Sequence, residues 1–254
     1  MLSEKQWQPM MVFLLGVEVL LSLMGGVLGA AMVNQLAAPY LSANGLALLT
    51  LCITILGFQG AALVWVHFFL RAQHITWGEG FGFGRRNYGK CIRAALFTLP
   101  IVLACILVLG NASDWGLRAL HERLHWNWLE PEMQPTVRLL QEKWPAHLIA
   151  AQGLFAIVIA PLAEEVLFRG ILYTAIKQRG YPVAAVFGTA VLFAVIHFYP
   201  VGFLSLVFLA TVLVAIYEWT ENLLAPILLH SFFNAANFVL IVTHPKWADQ
   251  LFKT

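Results

Sequence analysis

The sequence predicts an all-α fold, a polytopic bundle of membrane-spanning helices. Of the 254 residues, 60% are hydrophobic and only 11% are charged, whereas a soluble domain carries about 25% charged residues. The apolar residues also form runs of about 20 residues, the length that an α-helix needs to cross the hydrocarbon core. Composition and run length together exclude a soluble domain, because so much apolar surface would not be tolerated in water.

The apolar runs predict about seven transmembrane helices, or eight, with short interfacial helices between them. The predicted spans are 10–33, 46–70, 94–112, 147–178, 182–199, 201–218 and 222–243. The fourth is too long to lie wholly in lipid, so its last turns should project into water before the helix stop at Gly180-Tyr181-Pro182. Residues 1–254 are interpreted as one integral membrane domain, with a motif-bearing core at about 147–243.

The charges in the loops predict the orientation of the bundle. Residues 71–93 contain five Lys or Arg residues and one Glu, whereas 113–146 balances its basic residues with acidic ones. Short cytoplasmic loops are enriched in Lys and Arg, so we expect the first loop and the N-terminus to be cytoplasmic and the second loop to be outside. Trp and Leu at helical spacing in 113–146 indicate either helices at the membrane surface or a folded loop that packs its own aromatics.

Three charged residues interrupt the apolar run of the fourth span, namely Glu164, Glu165 and Arg169. Ionisable residues inside a membrane cost a few kcal/mol or more, so a cluster of them indicates a function. Glu165 and Arg169 are four residues apart and can form an ion pair on one helix face. Glu164 is turned by about 100° from Glu165. Glu164 is therefore the carboxylate left free to accept and return a proton.

Polar residues on two further spans are expected at the level of Glu164. Glu164 lies sixteen residues before Gly180, and His197 lies sixteen residues after Tyr181. Two antiparallel helices joined at that turn place both residues about 24 Å along the helix from it. His230 and Asn234 are four residues apart on the last span and share one helix face. Three helices can therefore bring polar groups to one depth.

Two kinds of hydrolytic site fit this set of residues. In one, a Glu takes a proton from water, a His holds that water, and a His with an Asn donates to the oxyanion. In the other, two His and one Glu bind a catalytic zinc ion and leave a fourth position for water. Taken singly, each residue could instead make an ordinary contact between helices. A proton-coupled transporter is disfavoured because no internal repeat is present.

Three motifs resemble those of a known family. In order, Glu164-Glu165-x-x-x-Arg169, Phe193-x-x-x-His197 and His230-x-x-x-Asn234 resemble the motifs of the CAAX-protease and bacteriocin-processing (CPBP or Abi) family of intramembrane endopeptidases. The resemblance implies an all-helical membrane fold and cleavage of peptide bonds near the cytoplasmic side. It also implies that Glu164 is the general base, that His197 positions the water, and that His230 and Asn234 stabilise the oxyanion.

The same resemblance assigns supporting roles and leaves alternatives open. Glu165 and Arg169 would hold the first motif helix in place, and Phe193 would pack beside the site. The cofactor is either zinc, held by Glu164, His197 and His230, or none.

The expected partners are the lipid bilayer and a membrane-associated peptide or protein, prenylated or not, in a prokaryotic plasma membrane. Nucleic acid is excluded as a partner by the small net charge of +2 and the lack of a basic stripe. The alternative function is a non-proteolytic partner on the same scaffold, such as an immunity or sensor-regulating protein.

Overall fold

The computed structural model describes residues 6–124 and 144–244, and these ranges contain helices and no strand. In chain order the helices are α1 (Pro9–Ala37), α2 (Ala43–Ala72), α3 (Trp77–Phe81), α4 (Tyr88–Leu124), α5 (Ala146–Lys177), α6 (Pro182–Val195), α7 (Phe203–Thr220) and α8 (Leu224–Thr243). Within the described ranges, six of them are long and apolar enough to cross a membrane: α1, α2, α4, α5, α7 and α8. The predicted class, an all-α membrane bundle, is confirmed.

Helix α6 is shorter than the span predicted at 182–199. It ends at Val195, and its 14 residues rise about 21 Å, less than the hydrocarbon thickness of about 30 Å. Phe198 has φ 47°, a left-handed conformation that a bulky side chain rarely adopts and that does not continue a helix. His197 therefore lies in the turn after α6 and not on the helix as predicted.

Helix α4 is longer than the span predicted at 94–112. It continues through residues that were assigned to the outer loop and ends at Leu124. Asp114 and Arg118, four residues apart, form an ion pair of 2.8 Å along this extension, a spacing that supports a helix. Two other tryptophans of that predicted loop, Trp126 and Trp128, lie outside the described residues.

Helix α7 lies at the centre of the bundle and packs against α4, α6 and α8. Its last turn meets basic residues: Lys177 at the end of α5 bonds Glu218, and Arg85 before α4 bonds Glu221. On the other side of the molecule, α1 packs along α2. There Gly57 approaches Gly26 so closely that a Cβ on Gly57 would lie 2.5 Å from the Gly26 Cα.

Two of the membrane helices contain π-helical stretches. They cover Leu56–Gly60 in α2, and Phe155–Ile159 and Val166–Tyr173 in α5. A π turn widens the helix, turns the following side chains to a different face, and is found frequently at functional sites. The α-helical segment Ala160–Glu165, which carries the two glutamates, lies between the two π stretches of α5.

Candidate active site

One cavity contains all four residues predicted to be catalytic. It has a volume of about 620 Å³ and lies between α2, α4, α5, α7, α8 and the turn after α6. Glu164, His197, His230 and Asn234 line it, together with mainly apolar residues such as Leu103, Ile106, Leu107, Phe155, Phe233 and Phe238. The convergence predicted from helix depth is therefore observed, and the roles of the four residues stay predictions.

The two adjacent glutamates occupy different environments. The Glu164 side chain is 18% exposed and lines the cavity, whereas that of Glu165 is fully buried. The expected ion pair is present, with 2.9 Å between Arg169 Nη1 and Glu165 Oε1. Arg169 also donates from Nη2 to the Ala210 carbonyl of α7 at 3.1 Å. Glu165 and Arg169 thus join α5 to α7, and Arg169 compensates the buried charge of Glu165, whose second oxygen, Oε2, has no hydrogen-bond partner among the described residues.

Glu165 also binds the ring of His230, a contact that the sequence did not predict. His230 Nδ1 donates to Glu165 Oε1 at 2.8 Å, so one carboxylate oxygen serves both His230 and Arg169. The other ring nitrogen, Nε2, lies 3.9 Å from Glu164 Oε2. The buried carboxylate therefore determines which nitrogen of His230 carries the first proton and turns the second nitrogen towards Glu164.

The helix end orients His197. Its Nδ1 lies 2.6 Å from the Phe193 carbonyl, one of the last carbonyls of α6, which have no donor within the helix. A carbonyl can only accept, so Nδ1 carries the proton and Nε2 has a lone pair available at the cavity. In both site histidines, Nδ1–H makes the hydrogen bond that orients the ring, and Nε2 remains available to take part in the reaction.

Phe193 is in contact with three polar residues of the site. Its buried ring lies 4.5 Å from the His197 ring and 5.9 Å from the His230 ring, measured between centroids. On the same ring, the Arg169 guanidinium carbon is 4.8 Å from the centroid, within the range of a cation–π contact. Phe193 therefore packs beside the site as expected, and it separates Arg169 from the cavity.

Asn234 bonds to a carbonyl that its own helix cannot satisfy. In the π stretch, the Ala160 N–H bonds to the Phe155 carbonyl, five residues back. The next donor in that register is residue 161, a proline, which has no N–H. The Ala156 carbonyl therefore lacks a backbone donor, and Asn234 Nδ2 donates to it at 2.7 Å. One amide hydrogen of Asn234 therefore anchors α8 to α5, and the second remains for the cavity.

The orientation of the two imidazoles resembles that of metal-ligating histidines, which also donate the second N–H to a carboxylate or carbonyl. In residues 6–124 and 144–244, however, no three His, Cys, Asp or Glu side chains are grouped as metal ligands. The zinc set of Glu164, His197 and His230 is left untested by this arrangement, and the chemistry below is described for the side chains alone. A zinc ion stays a prediction, to be checked by metal analysis of the purified protein.

Several polar residues of the cavity were not predicted from the sequence, among them Gln59 and Tyr199. Gln59 of α2 is 7% exposed, lines the cavity, and has no hydrogen-bond partner for Oε1 among the described residues. Tyr199, in the turn after α6, also lines the cavity. Burial raises the pKa of Tyr199, and Asp114 adds to the effect, so its hydroxyl stays a donor. Neither belongs to a motif, and a lone Gln in an apolar run gives no recognisable signal.

The fold and the site define the class of protein. It is an integral membrane protein in which a carboxylate and two histidines surround a cavity between the helices. Comparison with family models adds that residues 146–236, a little over a third of the chain, match the family described as type II CAAX prenyl endopeptidase Rce1-like. This segment holds all three motifs, and the match confirms the family resemblance that they indicate. Comparison with curated proteins gave no match, nor did comparison with solved structures.

Proposed function

We propose that the protein is an intramembrane endopeptidase that hydrolyses peptide bonds of membrane-associated or lipidated peptides. The observation that carries the proposal is the approach of Glu164 Oε2 to His230 Nε2, 3.9 Å apart, within the segment that matches the endopeptidase family. A carboxylate, two imidazoles and an amide around one cavity can direct water at a carbonyl without a Ser or Cys nucleophile. The mainly apolar lining suits a substrate that arrives from the bilayer.

In the proposed reaction Glu164 is the general base. It takes a proton from a water held between its carboxylate and His197 Nε2, and the water oxygen attacks the carbonyl carbon of the peptide bond. Negative charge then develops on the carbonyl oxygen, to which His230 Nε2–H and the free amide hydrogen of Asn234 donate. Glu164 returns its proton to the amide nitrogen as the C–N bond breaks. The products are a carboxylic acid and an amine, and Glu164 is again ionised.

Glu165 acts on the site through His230. As an oxyanion donor His230 must be doubly protonated, and the Glu165 carboxylate at 2.8 Å stabilises that imidazolium. The same Glu165 oxygen accepts from Arg169 at 2.9 Å, so the ring of His230 is held against a carboxylate that is itself fixed by the ion pair. Glu165 is therefore a positioning residue, and Arg169 compensates its charge.

The proposal is tested by cleavage with purified protein in lipid vesicles. One probe is a quenched-fluorescent peptide that ends in a prenylated cysteine, two aliphatic residues and a final residue; the second is the same peptide without the prenyl group. A panel of transmembrane peptides, analysed by mass spectrometry, extends the search. Replacing a general base lowers kcat by about 10²–10⁴-fold, so Glu164→Gln should lose cleavage.

Glu18→Gln is the matched control, because Glu18 also lies in a membrane helix but lines a separate groove against Trp65 and Phe68. It should cleave like the unmodified protein. Full activity of Glu164→Gln refutes the assignment of the base. An unmodified protein that cleaves none of the peptides, together with a Glu164→Gln variant that keeps its cellular phenotype, supports the non-proteolytic alternative instead.

A further inference from the structure

Gln59 is a polar side chain placed in the cavity by the N-terminal half of the chain. It lies in the middle of α2, in an apolar run that extends from Ile55 to Val66. The residue lines the same cavity as Glu164 and His230. It is also outside residues 146–236, the segment that matches the endopeptidase family. A function of Gln59 would therefore be a property of this chain beyond the three motifs.

The side-chain oxygen of Gln59 is buried without a hydrogen-bond partner in the described part of the chain, whereas each asparagine of the cavity donates from its amide nitrogen. Asn111 donates to the Leu107 carbonyl, Asn237 donates to the Phe233 carbonyl, and Asn234 donates to the Ala156 carbonyl. For Gln59, Oε1 has no partner within the described residues, although the side chain is 93% buried. A buried polar group without a partner is unusual in proteins and indicates a missing one, such as a water or a ligand.

The fold holds Gln59 at this position through its backbone. Gln59 belongs to the π turn Leu56–Gly60, which turns side chains to a face different from that of a regular α-helix. The contact between Gly57 and Gly26 fixes this turn against α1, since any side chain on Gly57 would collide with the Gly26 backbone. The turn also packs against Ala160–Glu165, the segment that carries the glutamates. The amide thus comes to the catalytic segment on a rigid support.

We propose that Gln59 is a substrate-binding residue, whose buried side-chain amide pairs with a backbone peptide group of the substrate beside Glu164. A primary amide offers one acceptor and two donors, which complement the N–H and C=O of a peptide. Its terminal torsion is soft, so the oxygen and nitrogen can exchange places to suit either partner. The inference rests on the proposed endopeptidase function. It adds recognition of the peptide backbone, which an apolar cavity alone cannot provide.

The test measures binding and cleavage separately. Binding uses the Glu164→Gln protein in vesicles and the unprenylated probe peptide, so that no turnover occurs. Loss of one neutral hydrogen bond weakens binding by about 3- to 10-fold, so Gln59→Leu should raise Kd by that factor. In the otherwise unmodified protein, the same substitution should raise KM more than it lowers kcat. Gln59→Asn keeps the amide but shortens the side chain, so that the amide no longer reaches the same position. This variant should show the same loss of affinity, and it replaces the Leu variant if that variant does not fold.

Gln152→Leu is the matched control. Gln152 is 9% exposed and its Oε1 has no partner among the described residues, but it does not line the cavity. Its substitution should leave Kd and KM unchanged. A loss of affinity in both Gln variants would overturn the proposal, because it would reflect a general effect of replacing a buried amide.

A second set of probe peptides identifies the partner group. Each has one backbone amide replaced by an ester, which removes an N–H donor and leaves a weaker carbonyl acceptor. At one position the ester should weaken binding to the protein that contains Gln59 but have little effect on binding to Gln59→Leu. The two losses are not additive, because both changes remove the same hydrogen bond. If every ester acts equally on both proteins, Gln59 binds only water and the inference fails. If the unmodified protein neither binds nor cleaves any peptide, the proposed function itself fails.

Discussion

Replacing Glu165 and Arg169, singly and together, separates a structural role of the pair from a role in positioning His230. Both side chains are almost fully buried, at 0% and 2% exposure. Removing one partner of such a pair costs about 3–5 kcal/mol, because a buried charge is left uncompensated. At about 2–4 °C per kcal/mol for a chain of this size, Glu165→Leu should lower Tm by roughly 6–20 °C.

The double variant Glu165→Leu/Arg169→Leu should regain most of this stability. Replacing a complete buried ion pair with apolar side chains is often neutral or stabilising by about 1–4 kcal/mol. Cleavage should not recover, because His230 Nδ1 has lost the Glu165 oxygen at 2.8 Å that orients the ring. Loss of the carboxylate that orients a catalytic histidine lowers kcat by up to about 10⁴-fold.

The assay combines thermal unfolding in detergent with cleavage of the probe peptides in vesicles. Lys177→Met is the control, since it breaks the partly exposed Lys177–Glu218 pair, which is worth at most about 1 kcal/mol. A double variant with both normal Tm and full cleavage would refute the positioning role and reduce Glu165 to a structural contact. A double variant that stays as unstable as Glu165→Leu would refute the charge-compensation argument.

Two further predictions concern helix packing. Asn234→Ala should lower the unfolding free energy by about 1–3 kcal/mol, since it leaves the Ala156 carbonyl unpaired. In a Pro161→Ala background, where a backbone N–H can replace the amide, this loss of stability should nearly vanish. An equal loss in both backgrounds would contradict the explanation. Gly170→Ala should destabilise by about 1–3 kcal/mol, because its Cβ would lie 2.5 Å from the Phe81 ring, whereas Gly188→Ala meets no atom within 4 Å and should be harmless in the same unfolding experiment.

The sequence was sufficient for the fold class and for bringing the site residues together, because both follow from distance along the chain, but it did not predict the ends of α4 and α6. Apolar runs predict where helices lie, and counting residues from Gly180 brings His197 to the depth of Glu164. Counting cannot predict the direction in which a side chain points. The π stretches of α5 change that direction, and no periodic pattern in the sequence marks them. The bond from His230 to Glu165, and the position of Gln59, were therefore not predictable.

The structure relates the cavity to the basic end of the bundle. Basic residues meet the last turn of α7, through Lys177 and Glu218, whereas the cavity is lined by Ser205, Leu206 and Leu209 of its first half. The 18 residues of α7 rise about 27 Å, close to the thickness of the hydrocarbon core. If the basic end is cytoplasmic, as its loop charges predict, this part of the cavity extends into the outer half of the bilayer, whereas His230, six residues after the start of α8, lies about 9 Å along that helix from the cytoplasmic end.

The orientation that the loop charges predict can be tested by labelling introduced cysteines from either side of the membrane. A cysteine can be introduced at Tyr181, an exposed residue beside the basic end, after Cys52, Cys91 and Cys105 have been replaced by serine. An impermeant thiol reagent should label it in inside-out vesicles only. A second cysteine at Trp115, exposed on the far end of α4, should react only from the other side. The reverse pattern would overturn the orientation that the loop charges predict.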